Sequence, residues 1–210
     1  MIVSSEKKIF VISDTHFGHP GIINLCFRPY KTIQEHDYDL INKWNSVVSP
    51  NDIVYHLGDF AYKTSVTYIN KIINELNGQI IVIKGNHDSL VQKIADQKIF
   101  SESKFKLIPG YYELENFTYV DKNKDTQLGP MYILSHYPMK SWNQKHRNSV
   151  MLYGHVHGQL LEDHSLSFDV GVDCWNYTPV SMEQIRKKVA IKMPNWLAYK
   201  ENIKHKEKVE

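Results

Sequence analysis

Continuous apolar runs alternate with helically spaced apolar residues along the first hundred positions of the chain. The runs at 8–13, 53–57 and 80–84 predict strands, because a strand that is buried on both faces lacks polar alternation. Between these runs, apolar residues three and four positions apart predict helices at about 32–48 and 66–76. This β-α-β-α-β order favours an α/β fold with a largely parallel sheet and right-handed crossovers.

Capping and turn residues mark where the predicted helices begin and end. Thr32 with Glu35, and Ser181 with Gln184, have the spacing of a capping box, which favours a helix start at each place. The second pair precedes a basic segment and therefore predicts a final helix. Asn77-Gly78 follows the last apolar residue of the second predicted helix, and glycine is typical of a helix C-terminus.

The second half of the chain contains shorter apolar runs and less helical periodicity. A short helix is predicted near 89–96, and Pro109-Gly110 separates two runs that are rich in aromatic and branched residues. This pattern favours more antiparallel pairing than in the first half. The strands predicted here lie at 104–108, 111–120, 131–135, 150–153 and 167–172.

Length and charge narrow the classes of function. The chain has 210 residues, of which 42% are hydrophobic, so we predict one domain at 1–185. Residues 186–210 are predicted to form a basic C-terminal helix or tail, either packed on the domain or frayed from it. The net charge is only +2, so no overall field favours nucleic acid or an anionic membrane, whereas small anionic substrates fit. The oligomeric state stays open.

Cysteine spacing and the start of the chain indicate the compartment. Cys26 and Cys174 are far apart and neither belongs to a CxxC motif, so reduced thiols are expected. The first apolar run is interrupted by Asp14 and His16 before a signal-peptide core or membrane span is complete. We therefore predict a cytoplasmic protein without a membrane partner.

Polar residues follow the predicted strands at the point where each strand ends. They are Asp14 and His16, Gly58-Asp59, the GNHD segment Gly85-Asn86-His87-Asp88, Ser135-His136, and Gly154-His155-Val156-His157. Because the carboxyl ends of strands in open α/β sheets form one rim, these residues can meet in a single crevice. Carboxylate oxygens with imidazole nitrogens suit divalent manganese, iron, zinc, cobalt or nickel, and no nearby cysteines form a thiolate zinc site. We predict a catalytic metal site.

Together these segments resemble the signature of calcineurin-like metallophosphoesterases, in the order typical of that family, over about residues 9–173. The resemblance implies two packed mixed β-sheets flanked by helices, an αββα sandwich. It also implies two divalent transition metal ions, with manganese favoured over iron, zinc, cobalt and nickel. The implied ligands are Asp14, His16 and His157 for one ion, Asn86, His136 and His155 for the other, and Asp59 as the bridge.

The same resemblance implies a reaction. His87 would protonate the leaving group as general acid, with Asp88 as an orienting partner for its ring. Two metals can lower the pKa of a shared water and stabilise an in-line displacement, so the implied activity is hydrolysis of phosphate mono- or diesters. A small phosphorylated substrate such as a nucleotide is favoured, because the sequence has no long basic track. The alternatives are a metal-containing binding module without turnover, and a nuclease.

Several residues near the motifs have two interpretations. His19 and Arg28 lie in a predicted loop between the first strand and the first helix, where they could reach a substrate phosphate or belong to the surface. His56, inside a strand, is predicted to be a packed histidine. Tyr137, Trp142 and Trp175 could stack on a nucleobase, but core or rim positions are favoured for them.

Overall fold

We describe the chain from a computed structural model, which covers residues 7–115, 118–120, 123–161 and 163–206. Two 3₁₀ turns lie at Lys145–Arg147 and Val172–Cys174, and the other elements are helices and strands. In chain order these are β1 (Ile9–Ile12), α1 (Gly21–Leu25), α2 (Ile33–Val47), β2 (Ile53–His56), α3 (Val66–Glu75), β3 (Gln79–Ile83), α4 (Ser89–Asp96), β4 (Phe105–Ile108), β5 (Tyr111–Leu114), β6 (Thr118–Val120), β7 (Thr126–Leu128), β8 (Tyr132–Ser135), β9 (Val150–Tyr153), β10 (Ser167–Asp169), β11 (Val180–Ser181) and α5 (Met182–Lys206).

Two mixed sheets form the frame of the described structure. The first has the strand order β11-β1-β2-β3-β4, in which β1 to β4 are parallel and β11 is antiparallel to β1. The second has the order β10-β9-β8-β5, in which β8 to β10 are parallel and β5 is antiparallel to β8. β6 and β7 form a separate antiparallel pair. The predicted fold class, two mixed sheets flanked by helices, is confirmed.

The structure corrects several details of the second half and of the first loop. Three strands of the second sheet are parallel, so the expected antiparallel character is limited to β5, the β6–β7 pair and β11. The predicted strand at 111–120 is divided, and residues 116–117 lie outside the described residues. The predicted strand at 167–172 ends at Asp169. The predicted loop through Pro20 contains the short helix α1.

Alternate residues of the first sheet face two different cores, which explains its continuous apolar runs. In β1, Phe10 and Ile12 pack with the helices, while Val11 packs against the second sheet. In β3, Ile80 faces the helices and Ile81 faces the second sheet. Since both faces of these strands are buried, a polar side chain on either face would lose its hydration without gaining a hydrogen-bond partner.

Both predicted capping boxes are present. The Thr32 hydroxyl accepts from the Glu35 backbone N–H, and the Glu35 carboxylate accepts from the Thr32 N–H, at the start of α2. Ser181 and Gln184 make the same reciprocal pair before α5. Each cap satisfies backbone donors that a helix start leaves unpaired, and such a cap contributes roughly 1 kcal/mol.

The C-terminal helix α5 covers one side of the core between the sheets. Its residues Ile185, Val189 and Trp196 are buried there, so part of the predicted basic segment packs on the domain. The boundary at residue 185 stays a prediction, and residues 207–210 lie outside the described part of the chain. Among the described helices, none combines the length and apolar composition that crossing a bilayer requires.

The carboxyl ends of strands from both sheets meet at one rim of the molecule. Backbone hydrogen bonds join the sheets there, because the Ser13 N–H donates to the Val170 carbonyl and the Val172 N–H donates to the Ser13 carbonyl, both at 3.0 Å. The polar segments predicted to bind metal follow β1, β2, β3, β8 and β9 at this rim. The topology therefore brings together residues that are far apart in sequence.

Candidate metal centre

The backbone turns sharply at the candidate ligands. Five of them have positive φ angles between 48° and 71°, a left-handed conformation that non-glycine residues seldom adopt. Each such residue costs on the order of 1–3 kcal/mol, and such strain concentrates at functional sites. The five are Asp14, His16, Asp59, His155 and His157. These turns direct the polar side chains that follow each strand into the crevice instead of along the strand.

Two glycines make room for the carboxylates of this rim. A Cβ atom at Gly154 would collide with the Ser13 hydroxyl and with the Asp14 carboxylate. A Cβ at Gly85 would collide with the Asp59 carboxylate and come within 2.5 Å of the Asp59 backbone nitrogen. The glycine of the GNHD segment is therefore required for close approach of another strand end, and the sequence motif has a steric cause.

Asp14, His16 and His157 form a first ligand group, whose potential ligand atoms all lie within 4.8 Å of one another. The Asp14 carboxylate accepts the His155 backbone N–H at 2.9 Å. His16 is 2% exposed, and neither of its ring nitrogens has a hydrogen-bond partner among the described residues. A buried polar atom without a partner typically costs about 1–3 kcal/mol, so a cation that bound here would relieve part of that cost.

Asp59, His136 and His155 form a second ligand group, whose potential ligand atoms also lie within 4.8 Å of one another. The Nδ1–H of His136 donates to the Leu57 carbonyl at 2.8 Å, which leaves a lone pair on Nε2. That Nε2 lies 2.8 Å from Oδ1 of Asn86, so two acceptor atoms face each other. Metal-bound histidines commonly donate their other N–H in this way, and a cation between the two atoms would satisfy both.

The Asp59 carboxylate lies between the two ligand groups. Its Oδ2 is 3.6 Å from Nε2 of His16 in the first group and 3.5 Å from Nε2 of His136 in the second. Its Oδ1 accepts the backbone N–H of His87 at 2.9 Å, which fixes the carboxylate orientation. The geometry is thus suited to one carboxylate serving two cations.

Burial and hydrogen bonding set the charge of the first group. Burial raises the pKa of Asp14 to about 7 and lowers the pKa of His16 well below its usual range. Burial also lowers the pKa of His157, but its hydrogen bonds to Asp173 and Cys26 and the nearby Asp14 carboxylate together outweigh this effect and raise the pKa to about 10. Burial lowers the pKa of His136. His16 and His136 are thus neutral, whereas His157 carries a proton that a divalent cation would have to displace on binding.

His87 lies beside the two groups without belonging to either. Its side chain is 33% exposed, and its Nε2 is 3.9 Å from Oδ2 of Asp59. Its ring contacts Tyr62, with ring centroids 4.0 Å apart, a neighbour that the sequence did not indicate. His87 is therefore partly exposed and can reach a molecule bound at the rim.

Asp88 does not orient His87 as expected from their adjacency. Its carboxylate is fully buried and accepts three backbone N–H groups, from Asp59, Phe60 and Gly85, at 2.8 to 2.9 Å. Burial raises its pKa to about 6. The prediction is corrected because the turn after His87 directs the Asp88 side chain into the molecule, where it holds the Asp59 loop.

Arg28 and His19 have different surroundings. Arg28 is 3% exposed and its guanidinium donates to Asp173 and to backbone carbonyls, so it fits neither of its two interpretations, a contact with substrate phosphate or a surface position. His19 lies beside the first group, with its ring centroid 5.4 Å from that of His16. A role for His19 toward substrate stays a prediction.

The remaining candidate residues divide between core and rim. His56 is fully buried, with Nε2 2.9 Å from the Thr15 hydroxyl, which confirms a packed histidine; burial lowers its pKa to about 3. Trp142 is buried in a small core on the outer face of the second sheet. Tyr137 is 47% exposed, and its ring centroid lies 4.7 Å from that of His155. Of the three aromatic candidates, Tyr137 directly contacts a ligand group.

Asp173 is a polar residue beside the candidate ligands that sequence reasoning missed. Its carboxylate accepts Nδ1–H of His157 at 2.7 Å. The available signal was its position at the end of a predicted strand, where the other polar segments also lie. Cys26, His157 and Asp173 also lie close enough to share a cation, but Arg28 already pairs with Asp173 at 2.8 Å and its charge disfavours a cation there.

Comparisons with known proteins agree with this architecture. A sequence model described as calcineurin-like phosphoesterase matches residues 7–159. An uncharacterised protein of Methanocaldococcus jannaschii is 32% identical over 190 residues, which span 87% of this chain and 92% of that protein. The gene 66 protein of Mycobacterium phage L5 is 25% identical over 187 residues, which span 78% of this chain and 85% of that protein.

One solved structure shares the fold. The crystal structure of a protein of unknown function from Aquifex aeolicus superimposes with a TM-score of 0.62. The alignment has 24% identity and covers 87% of this chain and 99% of the other. This similarity supports the fold, although it carries no information on substrate.

Proposed function

This chain belongs to the calcineurin-like phosphoesterase family, and from that premise we propose that it is a dinuclear-metal hydrolase of phosphate mono- or diesters. The observation that carries the proposal is the position of Asp59. Its Oδ2 lies 3.6 Å and 3.5 Å from one histidine of each ligand group. A carboxylate shared in this way is suited to holding two ions close together.

The donor atoms of both groups fit divalent transition metals. One ion would be held by the first ligand group and the other by the second group together with Asn86, with Asp59 as the bridge. Carboxylate, amide and imidazole donors without thiolate favour manganese, with iron, zinc, cobalt or nickel as alternatives. Since Asp14 and Asp59 are the anionic ligands, two divalent ions keep a net positive charge toward a phosphate.

Bound metal ions would supply Lewis-acid polarisation of phosphate oxygens and acidify a water molecule. The residues of the chain would orient the metal ligands and supply a proton to the leaving group. His136 and His157 are fixed by their Nδ1–H bonds to Leu57 and Asp173, so their Nε2 atoms point to the crevice. His87, partly exposed beside Asp59, would donate a proton to the leaving oxygen as the ester bond breaks.

The rim around the ligand groups supports a small phosphorylated substrate such as a nucleotide. Tyr137 presents a half-exposed ring next to His155, and its hydroxyl lies 3.4 Å from Oδ1 of Asn86. An aromatic face at that distance from the centre can stack on a nucleobase or a comparable flat group. The net charge of +2 favours a small anion over a polyanion.

Hydrolysis of nitrophenyl phosphate monoesters and diesters tests the proposal. We expect turnover with added manganese, loss of turnover after chelation, and recovery when the metal is restored. A folded, metal-loaded protein that hydrolyses neither ester would instead be a metal-containing binding module. Preferential cleavage of an oligonucleotide would indicate a nuclease and would contradict the small-substrate assignment.

A further inference from the structure

The guanidinium of Arg28 is buried and all of its donors are occupied. Its Nε and Nη2 form a fork on the Asp173 carboxylate at 2.9 Å and 2.8 Å. Nη2 also donates to the Asp14 carbonyl at 2.7 Å, and Nη1 donates to the Thr15 carbonyl at 3.1 Å and to Nε2 of His36 at 2.8 Å. An arginine has five N–H donors, so none remains for a substrate phosphate.

The acceptors of Arg28 support each member of the first ligand group. The Asp14 and Thr15 carbonyls belong to the turn that aims Asp14 and His16, whose φ angles are 59° and 51°. Asp173 in turn accepts the Nδ1–H of His157 at 2.7 Å. Among the described contacts of Arg28, none reaches Asp59, Asn86, His136 or His155.

A second arm of the network holds the far end of the same turn. Because Nε2 of His36 accepts from Arg28, its Nδ1–H donates to Oδ1 of Asp37, at 2.7 Å. Oδ2 of Asp37 accepts the Gly18 backbone N–H at 2.8 Å and the Tyr68 hydroxyl at 2.7 Å. The turn from 14 to 18 is therefore fixed at both ends by buried side chains of one connected network.

We propose that Arg28 is a positioning residue that sets the affinity of the first ligand group for its ion, without contacting substrate. The proposal rests on the two-ion centre described above. Lysine would keep the charge but cannot form the planar fork on Asp173 or reach two successive carbonyls. Losing outer-shell support of this kind typically weakens metal binding by about 10- to 100-fold.

Manganese binding to the intact protein tests the proposal independently of activity. Wild type, Arg28→Lys and the exposed control Arg147→Lys are titrated with Mn²⁺, with bound metal followed by elemental analysis and by the electron paramagnetic resonance signal of coupled pairs. In Arg28→Lys we expect one ion to bind about 10- to 100-fold more weakly while the other keeps wild-type affinity. The coupled signal should return at high Mn²⁺, where KM for a nitrophenyl ester should match wild type. The control should behave as wild type throughout.

Distinct results would overturn the proposal. Wild-type affinity for both ions with a raised KM would make Arg28 a substrate residue after all. An equal loss of affinity for both ions, together with a lowered unfolding temperature, would make Arg28 a general structural residue. If Arg28→Lys does not fold, Asp173→Asn must show the same selective loss of one ion, and equal loss of both would reject the proposal. Binding of fewer than two ions by wild type would contradict the dinuclear function instead.

Discussion

Replacing His87 with alanine should separate proton donation from metal binding. The backbone N–H of His87 donates to Oδ1 of Asp59 at 2.9 Å, and alanine keeps that hydrogen bond. The ring itself lies 3.9 Å from Oδ2 of Asp59 at its closest nitrogen, beyond hydrogen-bond distance, and His87 belongs to neither ligand group. His87→Ala should therefore keep both metal ions.

The loss of rate follows from the acid role and the exposure of the ring. General-acid catalysis commonly contributes about 10²- to 10⁴-fold, which is roughly 2.7–5.4 kcal/mol at 1.36 kcal/mol for each tenfold. The His87 side chain is 33% exposed, so water can replace part of its function. We therefore expect a loss in the lower half of that range, about 10²- to 10³-fold, for an alkyl ester that needs a proton on its leaving oxygen.

Comparing leaving groups provides the assay. Values of kcat/KM are measured for wild type and His87→Ala with an alkyl phosphate and with a nitrophenyl phosphate, whose leaving group hardly needs a proton. The nitrophenyl ester should be affected much less. Asn86→Ala is the matched comparison, since it should lose metal and slow both esters alike. If His87→Ala loses metal, or slows both esters equally, the histidine is a ligand or a structural residue.

Three further predictions concern the metal centre. Asp59→Asn should lower occupancy of the two-metal state and nearly abolish turnover; two ions at wild-type affinity by elemental analysis would contradict the bridge. His155→Ala and His157→Ala should lose different ions first, as seen by anomalous scattering, and loss of the same ion in both would place the pair on one site. Chelation should lower the thermal unfolding midpoint of wild type. A metal ion present at a hundredfold excess over its Kd adds about 2.7 kcal/mol to the free energy of unfolding. An unchanged midpoint in calorimetry would argue against ions that are bound by ligands from both sheets.

Apolar patterning predicted most strands but not how all of them pair. β1 and β3 were visible as continuous runs because both of their faces are buried, as Val11 and Ile80 illustrate. Pro109-Gly110 correctly separated two strands, yet β4 joins the first sheet and β5 joins the second. Local sequence does not determine that choice, since it depends on which distant strand offers a free edge.

The candidate ligands were predictable because each follows a strand, whereas their supports were not. Arg28 and Asp173 are 145 positions apart, and neither belongs to a recognisable local motif. Asp88 was misread for the opposite reason, because its neighbour His87 suggested a pair. In the structure the two side chains diverge at a turn, and Asp88 binds backbone N–H groups of the Asp59 loop.

Each ligand group takes side chains from both sheets, and this explains how short polar segments can define a centre. Asp14 follows β1 of the first sheet while His157 follows β9 of the second; Asp59 follows β2 while His136 follows β8. The distances between ligands within each group therefore depend on the core that packs the two sheets together, which is dense and buried. Tyr137, by contrast, lies half-exposed on a loop outside that frame. A frame of this kind would keep the proposed metal-dependent reaction constant while loop residues change the substrate, so the candidate ligand motifs indicate a reaction class without indicating its substrate.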